Sequence, residues 1–324
     1  MVKLIAGLMG GSVAAGSKAM SGADQLRPFL HMLKQHNVQE LDTARVYNSG
    51  KSEEDLGQIP EAQHDFSIAT KAPGFSPKSL SYQNVLDNCH ASLGALKQEK
   101  IDLYYFHGPD RQTPLEESCK AIHELHREGK VVNFGISNYS LQEVEEIHGI
   151  CSKNGWVLPT VYQGMSLDIE ISMYNPLGRA PEEALYPALR KLGIAYYTYS
   201  PLAGGFFSRT TDQLRTPPEG SRMEQMKVFS NMYVNDVSLD LHDKLSEVCR
   251  KQGVSVKEAT LRWLMHHSVL GENDGMILGA SSQQQMEENL KACVAGKLPG
   301  SVVDGFESMW TEWKAAGKAL PASF

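Results

Sequence analysis

Eight short apolar stretches, separated by amphipathic helical stretches, constrain the fold of this 324-residue chain more than any other feature. Residues 3–9 and 101–107 are examples in which apolar residues run together and do not alternate with polar ones, and residues 66–71 form another of the predicted strands. This pattern is typical of parallel strands that are buried on both faces. Eight strand–helix units in a chain of this length predict a single α/β domain over residues 1–324, a (β/α)8 TIM barrel.

The other predicted strands cover residues 39–43, 131–137, 159–163, 194–199 and 275–279. The predicted helices cover residues 23–36, 79–96, 115–127, 141–151, 182–191, 256–266, 286–293 and 300–317. A further helix is predicted directly after Ser52, which can cap it. A doubly wound Rossmann domain is the alternative, but residues 7–12 read GLMGGS where that fold favours G-x-G-x-x-G. Residues 204–237 form the longest stretch without a predicted strand or clear helix, and we expect this loop to cover a functional site.

Composition and charge exclude several classes of protein. The formal net charge is −7 and the chain lacks a basic run, which argues against a nucleic-acid-binding protein. No apolar run approaches the roughly 18 residues of a membrane span, and no secretory signal is evident at the N-terminus. The five cysteines are scattered without a C-x-x-C pair, which indicates reduced thiols and no zinc site. We therefore expect a cytoplasmic protein without a metal or a membrane anchor.

Polar residues follow three successive strands at the positions where an active site would lie. Asp42, Lys71 and His107 are at or next to the ends of the second, third and fourth predicted strands, and Tyr47 follows Asp42 by five residues. The C-terminal ends of barrel strands meet at one face, so these side chains can converge. A tyrosine with a pKa of ~10 is a poor acid at neutral pH unless a cation stabilises its phenolate.

This set of residues predicts proton transfer to a carbonyl. Lys71 would stabilise the Tyr47 phenolate, Asp42 would hold Lys71, and His107 would donate a hydrogen bond to the carbonyl oxygen. Taken singly, each residue has an ordinary structural explanation, such as a loop cap or a buried ion pair. Their joint placement at three successive strand ends favours a catalytic site.

The same residues resemble the catalytic tetrad of the aldo-keto reductases, in the settings DTARVY, ATKAP and YYFHGPD. The similarity extends over the whole chain and is greatest to the aflatoxin aldehyde reductase branch, through GISNYS, PTVYQGM, SPLAGGFF and ILGASSQQQMEENL. The resemblance implies NADPH-dependent reduction of a small aldehyde or ketone. Tyr47 would be the general acid, and Met9 would join Tyr47 and His107 at the substrate.

The resemblance also implies a cofactor site at the ends of the later strands. Ser137, Asn138 and Gln163 would hold the carboxamide, and the nicotinamide would stack on Tyr199. The motif SPLAGG would place Ser200, Leu202, Gly204 and Gly205 along the pyrophosphate, where glycines allow a close approach of backbone N–H groups. The segment matched to the adenosine end contains Ser281, Ser282, Gln285, Glu288 and Asn289, and Asp42 also belongs to the cofactor site.

Two departures from the family pattern bear on specificity. Gln285 stands where many members have an arginine for the 2′-phosphate, so we expect Arg222, and next Arg209, to supply that charge. Branch members that reduce short carboxylated aldehydes have a Tyr and an Arg where this chain has Phe229 and Met232, and an Arg at the C-terminus, where this chain ends ASF. Each lost charged hydrogen bond is worth ~1.5–3 kcal/mol, so uncharged, more apolar carbonyls are the expected substrates.

A third departure is an insertion of about eight residues, 166–173, directly after the Gln163 strand. It is interpreted either as a real loop or as an intron read through in a gene model, and it bears on the geometry of Gln163. Two alternatives to the reductase stay open: an NADP-binding regulatory protein of the channel β-subunit type, and a hydrolase or isomerase on the same barrel. The quaternary state is expected to be a monomer or a homodimer.

Overall fold

A computed structural model of the chain describes residues 2–9, 22–164 and 173–318. Its strands form one closed parallel barrel in the order of the sequence, in which each strand pairs with the next and β8 pairs with β1. The strands are β1 (Lys3–Gly7), β2 (Glu40–Asp42), β3 (Ser67–Ala72), β4 (Ile101–Phe106), β5 (Val131–Ser137), β6 (Pro159–Gln163), β7 (Ala195–Tyr199) and β8 (Gly275–Leu278). The predicted (β/α)8 barrel is confirmed.

The helices within the described residues surround this barrel. They are α1 (Ala23–Gln35), α2 (Lys51–Gly57), α3 (Pro60–Asp65), α4 (Tyr82–Leu96), α5 (Leu115–Arg127), α6 (Leu141–Asn154), α7 (Leu185–Leu192), α8 (Thr211–Arg215), α9 (Arg222–Gln225), α10 (Lys227–Tyr233), α11 (Asp236–Lys251), α12 (Val256–His266), α13 (Gln283–Cys293) and α14 (Gly300–Ala315). Short 3-10 turns at Tyr47–Gly50, Ala180–Glu182 and Ala203–Ser208 complete the connections.

Two separate apolar clusters explain why the strands read as continuous hydrophobic runs. The small cluster fills the barrel interior and includes Ile5, Leu103 and Ile277. The large cluster lies between the strands and the helices, with Tyr104 and Phe134 fully buried. Both faces of the strands are therefore largely buried, apart from exposed residues near the N-terminal ends of β1, β3, β5 and β6.

The expectation that residues 204–237 lack a clear helix is wrong. The short helices α8, α9 and α10 lie within this stretch, and α11 begins at its end. Buried side chains hold it against the barrel, among them Phe206, Phe229 and Tyr233. Helix α11, which the sequence analysis did not identify, begins with a capping box formed by Asn235 and Ser238.

The turn after β2 fixes the position of Tyr47. Asn48 and Ser49 have φ values of 52° and 53°, and Gly50 has a φ of 92° that favours glycine. We interpreted Ser52 as the cap of the following helix, but α2 begins at Lys51 without a side-chain cap. The Ser52 hydroxyl instead lies 2.7 Å from the hydroxyl of Thr43, a tertiary contact that ties α2 to the end of β2.

Candidate active site

A cavity of about 840 Å³ opens at the C-terminal face of the barrel. Asp42 is the last residue of β2, Lys71 is the next to last residue of β3, and His107 follows the last residue of β4. Tyr47 and His107 line the cavity, and so does Met9 after β1. A second cavity of about 470 Å³ lies at the opposite face, around the strand N-termini, and Tyr47 and His107 do not line it.

A buried ion pair lies beneath the cavity. Lys71 Nζ donates to Asp42 Oδ1 at 2.6 Å and to the Thr43 carbonyl at 2.7 Å, and both charged side chains are at least 94% buried. Burial lowers the pKa of Lys71, while the charge and the hydrogen bond of Asp42 oppose that shift. Gln163 donates to the other carboxylate oxygen, Asp42 Oδ2, at 2.7 Å. Asp42 is therefore held from two sides.

Tyr47 and His107 complete the set of four residues proposed from the sequence. Lys71 Nζ lies 5.2 Å from the centre of the Tyr47 ring, and the rings of Tyr47 and His107 meet edge to face with their centroids 5.6 Å apart. Burial, and secondly the charge of Lys71, lower the pKa of His107 to about 3. The imidazole is therefore neutral at physiological pH, where one ring nitrogen can donate a hydrogen bond.

Four residues proposed for the carboxamide end lie on adjacent strand ends. The Asn138 amide donates to the His107 carbonyl at 2.8 Å and to the Ser137 hydroxyl at 3.0 Å. The Tyr199 hydroxyl donates to Asn138 Oδ1 at 3.4 Å, and all three of these side chains line the cavity together with Gln163. Gln163, the last residue of β6, is paired with Ser137 of β5 and Tyr197 of β7. Residues 165–172, which include all of the predicted insertion except Met173, lie outside the described residues. Met173, the last residue of that insertion, is described and also lines the cavity.

The loop after β7 contains several residues with positive φ values. Ser200 has a φ of 55°, and Gly204 and Gly205 have φ values of 64° and 103°. A Cβ atom at Gly204 would lie 2.4 Å from the Phe229 ring, and one at Gly205 would lie 1.9 Å from Arg209 Nη1. Arg209 donates to the Gly205 carbonyl at 2.9 Å. Ser200, Leu202, Gly204, Gly205 and Arg209 all line the cavity.

The segment proposed for the adenosine end divides into lining and supporting residues. Ser281, Gln285 and Asn289 line the cavity. Ser282 caps α13 by accepting the Gln285 backbone N–H at 3.2 Å, which gives it a structural role. Glu288 accepts a hydrogen bond from Lys257 at 2.8 Å. The backbone of Arg222 begins α9, but its side chain lies outside the described part of the structure, as does the C-terminal segment 319–324.

The sequence model of the Aldo/keto reductase family matches residues 3–311. This chain belongs to the aldo-keto reductase family. Aflatoxin B1 aldehyde reductase member 2 of Rattus norvegicus is 37% identical over an alignment of 308 residues that covers 90% of this chain and 80% of the rat protein. Aldo-keto reductase family 7 member A3 of Homo sapiens is 37% identical over 84% of each chain. Oxidoreductase sirO of Leptosphaeria maculans is 37% identical over 89% of this chain and 86% of its own length. The predicted resemblance is confirmed.

Sequence reasoning missed several residues of this aldo-keto reductase cavity. Phe75 has a φ of 65° and packs edge to face on His107 at 5.9 Å between centroids, although half of its side chain is exposed. Lys257, near the start of α12, lines the cavity from a helix that carried no motif. A basic residue in the first turn of a helix did not mark Lys257, because α2, α9 and α10 also begin with one.

The described residues contain neither a membrane-spanning helix nor a metal-binding cluster. None of their helices combines the length and the apolar character that a membrane span requires. They also contain no cluster of three His, Cys, Asp or Glu side chains arranged to bind a metal ion.

Proposed function

We propose that this aldo-keto reductase is an NADPH-dependent oxidoreductase that reduces uncharged aldehydes or ketones to alcohols. The observation that carries the proposal is the buried Lys71 ammonium, held by Asp42 at 2.6 Å on one side and facing the Tyr47 ring on the other. A buried charge of this kind is costly unless it is paired, and a cavity-lining tyrosine beside it is suited to proton transfer.

The proposed chemistry assigns one role to each of the four residues. When bound, the reduced nicotinamide supplies a hydride to the carbonyl carbon. Tyr47 donates its phenolic proton to the carbonyl oxygen, and the Lys71 ammonium stabilises the phenolate that remains. His107, neutral at physiological pH, donates a hydrogen bond to the same oxygen as negative charge develops there. Asp42 acts on Lys71 and does not touch the substrate.

Residues of the cavity fit a dinucleotide at several points. Gly204 and Gly205 line the cavity with positive φ values, and the Arg209 guanidinium lies beside them, a combination that suits a phosphate group. Asn289 is 98% buried and lines the cavity, yet its Oδ1 atom has no hydrogen-bond partner among the described residues. An unsatisfied buried acceptor is costly, so a ligand N–H group is a natural partner. These residues would hold the pyrophosphate and the adenine.

Apolar side chains support the proposed preference for uncharged substrates. Met9, Phe75, Met226, Phe229 and Met232 line the cavity together with Tyr47 and His107. Arg209 and Lys257 are the lining cations whose side chains the structure describes, and they belong to the glycine loop and to α12. A substrate carboxylate near these methionines and phenylalanines would lose hydration without gaining an ion pair. The five unpaired, buried cysteines support a cytoplasmic location.

The test combines NADPH binding, followed by fluorescence, with NADPH oxidation at 340 nm in the presence of an uncharged aromatic aldehyde. Tyr47→Phe should keep NADPH binding and lower kcat by at least about 100-fold, because general acid catalysis contributes about 10²–10⁴-fold. Tyr82→Phe on α4, outside the cavity, is the matched control and should keep full activity.

Three other results would contradict the proposal. Binding without turnover in the wild type, over a panel of aldehydes and ketones, would favour the regulatory NADP-binding alternative. Equal turnover by Tyr47→Phe would refute the assigned proton donor. Faster reduction of succinic semialdehyde than of the aromatic aldehyde would refute the proposed substrate class.

A further inference from the structure

One end of the cavity lies between the first turn of α12 and the first two turns of α13, away from the proposed reaction centre. Ser281, Gln285 and Asn289 line it from the α13 side, and Lys257 lines it from α12. Lys257 Nζ lies 2.8 Å from Glu288 Oε2, and about a quarter of the lysine side chain is exposed. The proposed mechanism uses none of these four lining residues in the chemical step.

The proposed function determines which part of a dinucleotide would reach this end, so the inference rests on that proposal. The nicotinamide has to lie beside Tyr47 and His107, because the hydride and the proton go to the same carbonyl. The cavity-lining loop of Gly204 and Gly205, with Arg209 bonded to it, is the proposed pyrophosphate site. The adenosine half, which carries the 2′-phosphate that distinguishes NADPH from NADH, then extends to the Asn289 end.

The described residues offer few positive charges to such a phosphate. Gln285 is uncharged, and its side-chain oxygen accepts hydrogen bonds from the Ser281 backbone N–H at 2.8 Å and the Ser281 hydroxyl at 2.9 Å. Arg209 is bonded to the Gly205 carbonyl and belongs to the glycine loop. Lys257 is the described cation that lines the adenosine end.

We propose that Lys257 binds the 2′-phosphate of the cofactor and sets the preference for NADPH over NADH. An ammonium group has three N–H donors, so the bond to Glu288 leaves donors for a phosphate oxygen. Glu288 holds the lysine at the cavity, and Gln284 holds Glu288 in turn through a hydrogen bond of 3.2 Å. The sequence-based candidates were Arg222, whose side chain lies outside the described residues, and Arg209, which is bonded to the Gly205 carbonyl; the proposal adds Lys257 to them.

The experiment measures dissociation constants without turnover. NADPH, NADH, adenosine 2′,5′-bisphosphate and adenosine 5′-monophosphate are titrated calorimetrically into the wild type, Lys257→Met and Lys257→Arg. Lys257→Met should weaken NADPH and the bisphosphate by about 10- to 100-fold, the range of one charged hydrogen bond, and should change NADH by less than about twofold. Lys257→Arg should retain most of the NADPH preference. That preference should fall as ionic strength rises, because the site is partly exposed.

Lys291→Met is the matched control, since Lys291 pairs with Glu287 on the same helix and does not line the cavity. It should bind all four ligands as the wild type does. Unchanged NADPH affinity in Lys257→Met would overturn the assignment, and an equal loss of NADPH and NADH would show that Lys257 does not discriminate between them. If the wild type binds neither dinucleotide, the proposed function itself fails. If it binds both equally well, only the specificity assignment fails.

Discussion

Asp42→Asn tests the physical basis of the proposed site through protein stability. The substitution keeps the shape of the side chain and removes the negative charge 2.6 Å from a fully buried ammonium. Removing one partner of a buried ion pair costs about 3–5 kcal/mol, because the remaining charge lacks compensation. The Thr43 carbonyl and the amide oxygen that the substitution introduces can still accept from Lys71, so we expect the lower half of that range.

The pH dependence of this loss identifies its cause. Burial already lowers the pKa of Lys71, and the loss of Asp42 lowers it further. At pH values between that lowered pKa and the unfolded value of ~10.4, Lys71 carries a proton more often in the unfolded chain than in the folded one. The free energy of unfolding therefore rises with pH in this range. The stability difference between Asp42→Asn and wild type should therefore shrink from pH 7 to pH 10.

Urea unfolding at pH 7, 8.5 and 10 measures this difference. Glu183→Gln is the control, since it removes one partner of the exposed pair with Lys314, and should cost less than about 1 kcal/mol at every pH. A loss below about 1 kcal/mol in Asp42→Asn at pH 7, or a loss independent of pH, would refute the argument that Lys71 is a buried, charged group stabilised by Asp42.

Two further predictions concern His107 and the glycine loop. Because the pKa of His107 is lowered to about 3, kcat/KM should show no step from this residue between pH 5 and 8. The unfolded histidine takes up a proton below about pH 6.5, so His107 should contribute a fall in stability of up to about 1.4 kcal/mol per pH unit as the pH decreases. Urea unfolding of His107→Gln from pH 6.5 to 4.5 should therefore show a shallower fall than the wild type. Gly204→Ala should cost about 2–4 kcal/mol and weaken NADPH binding, because the new Cβ would meet the buried Phe229 ring at 2.4 Å at a positive φ. Gly296→Ala, with positive φ but open space around it, should cost only about 1 kcal/mol, and equal losses in the two variants would contradict the steric argument.

Much of the fold was predictable because its determinants are local in the sequence. Continuous apolar runs such as that of β4 require burial on both faces, and eight of them with intervening helices fit a barrel. The convergence of Asp42, Lys71 and His107 followed from the same reasoning, since parallel strands bring their C-terminal ends to one face. The distances that join these residues at the site could not be predicted, because they depend on the register of neighbouring strands.

The errors arose where distant parts of the chain decide the local structure. The helices α8, α9 and α10 are five, four and seven residues long, too short to be stable alone, and burial of Phe229 and Tyr233 stabilises this segment. Ser52 looked like a helix cap from its neighbours, but Thr43, nine residues away, provides its hydrogen-bond partner.

The sequence by itself determined the barrel, the placement of four polar residues at the C-terminal face of its strands and the family to which the chain belongs. Only the tertiary structure showed that Lys257 and Glu288, 31 residues apart, form an ion pair between two helices, and that Lys257 lines the same cavity as Asn289. It also showed that Gln163, 121 residues from Asp42, donates to the carboxylate that holds Lys71. Such pairs leave no periodic signal in the chain, because barrel closure brings them together and their spacing in the sequence does not.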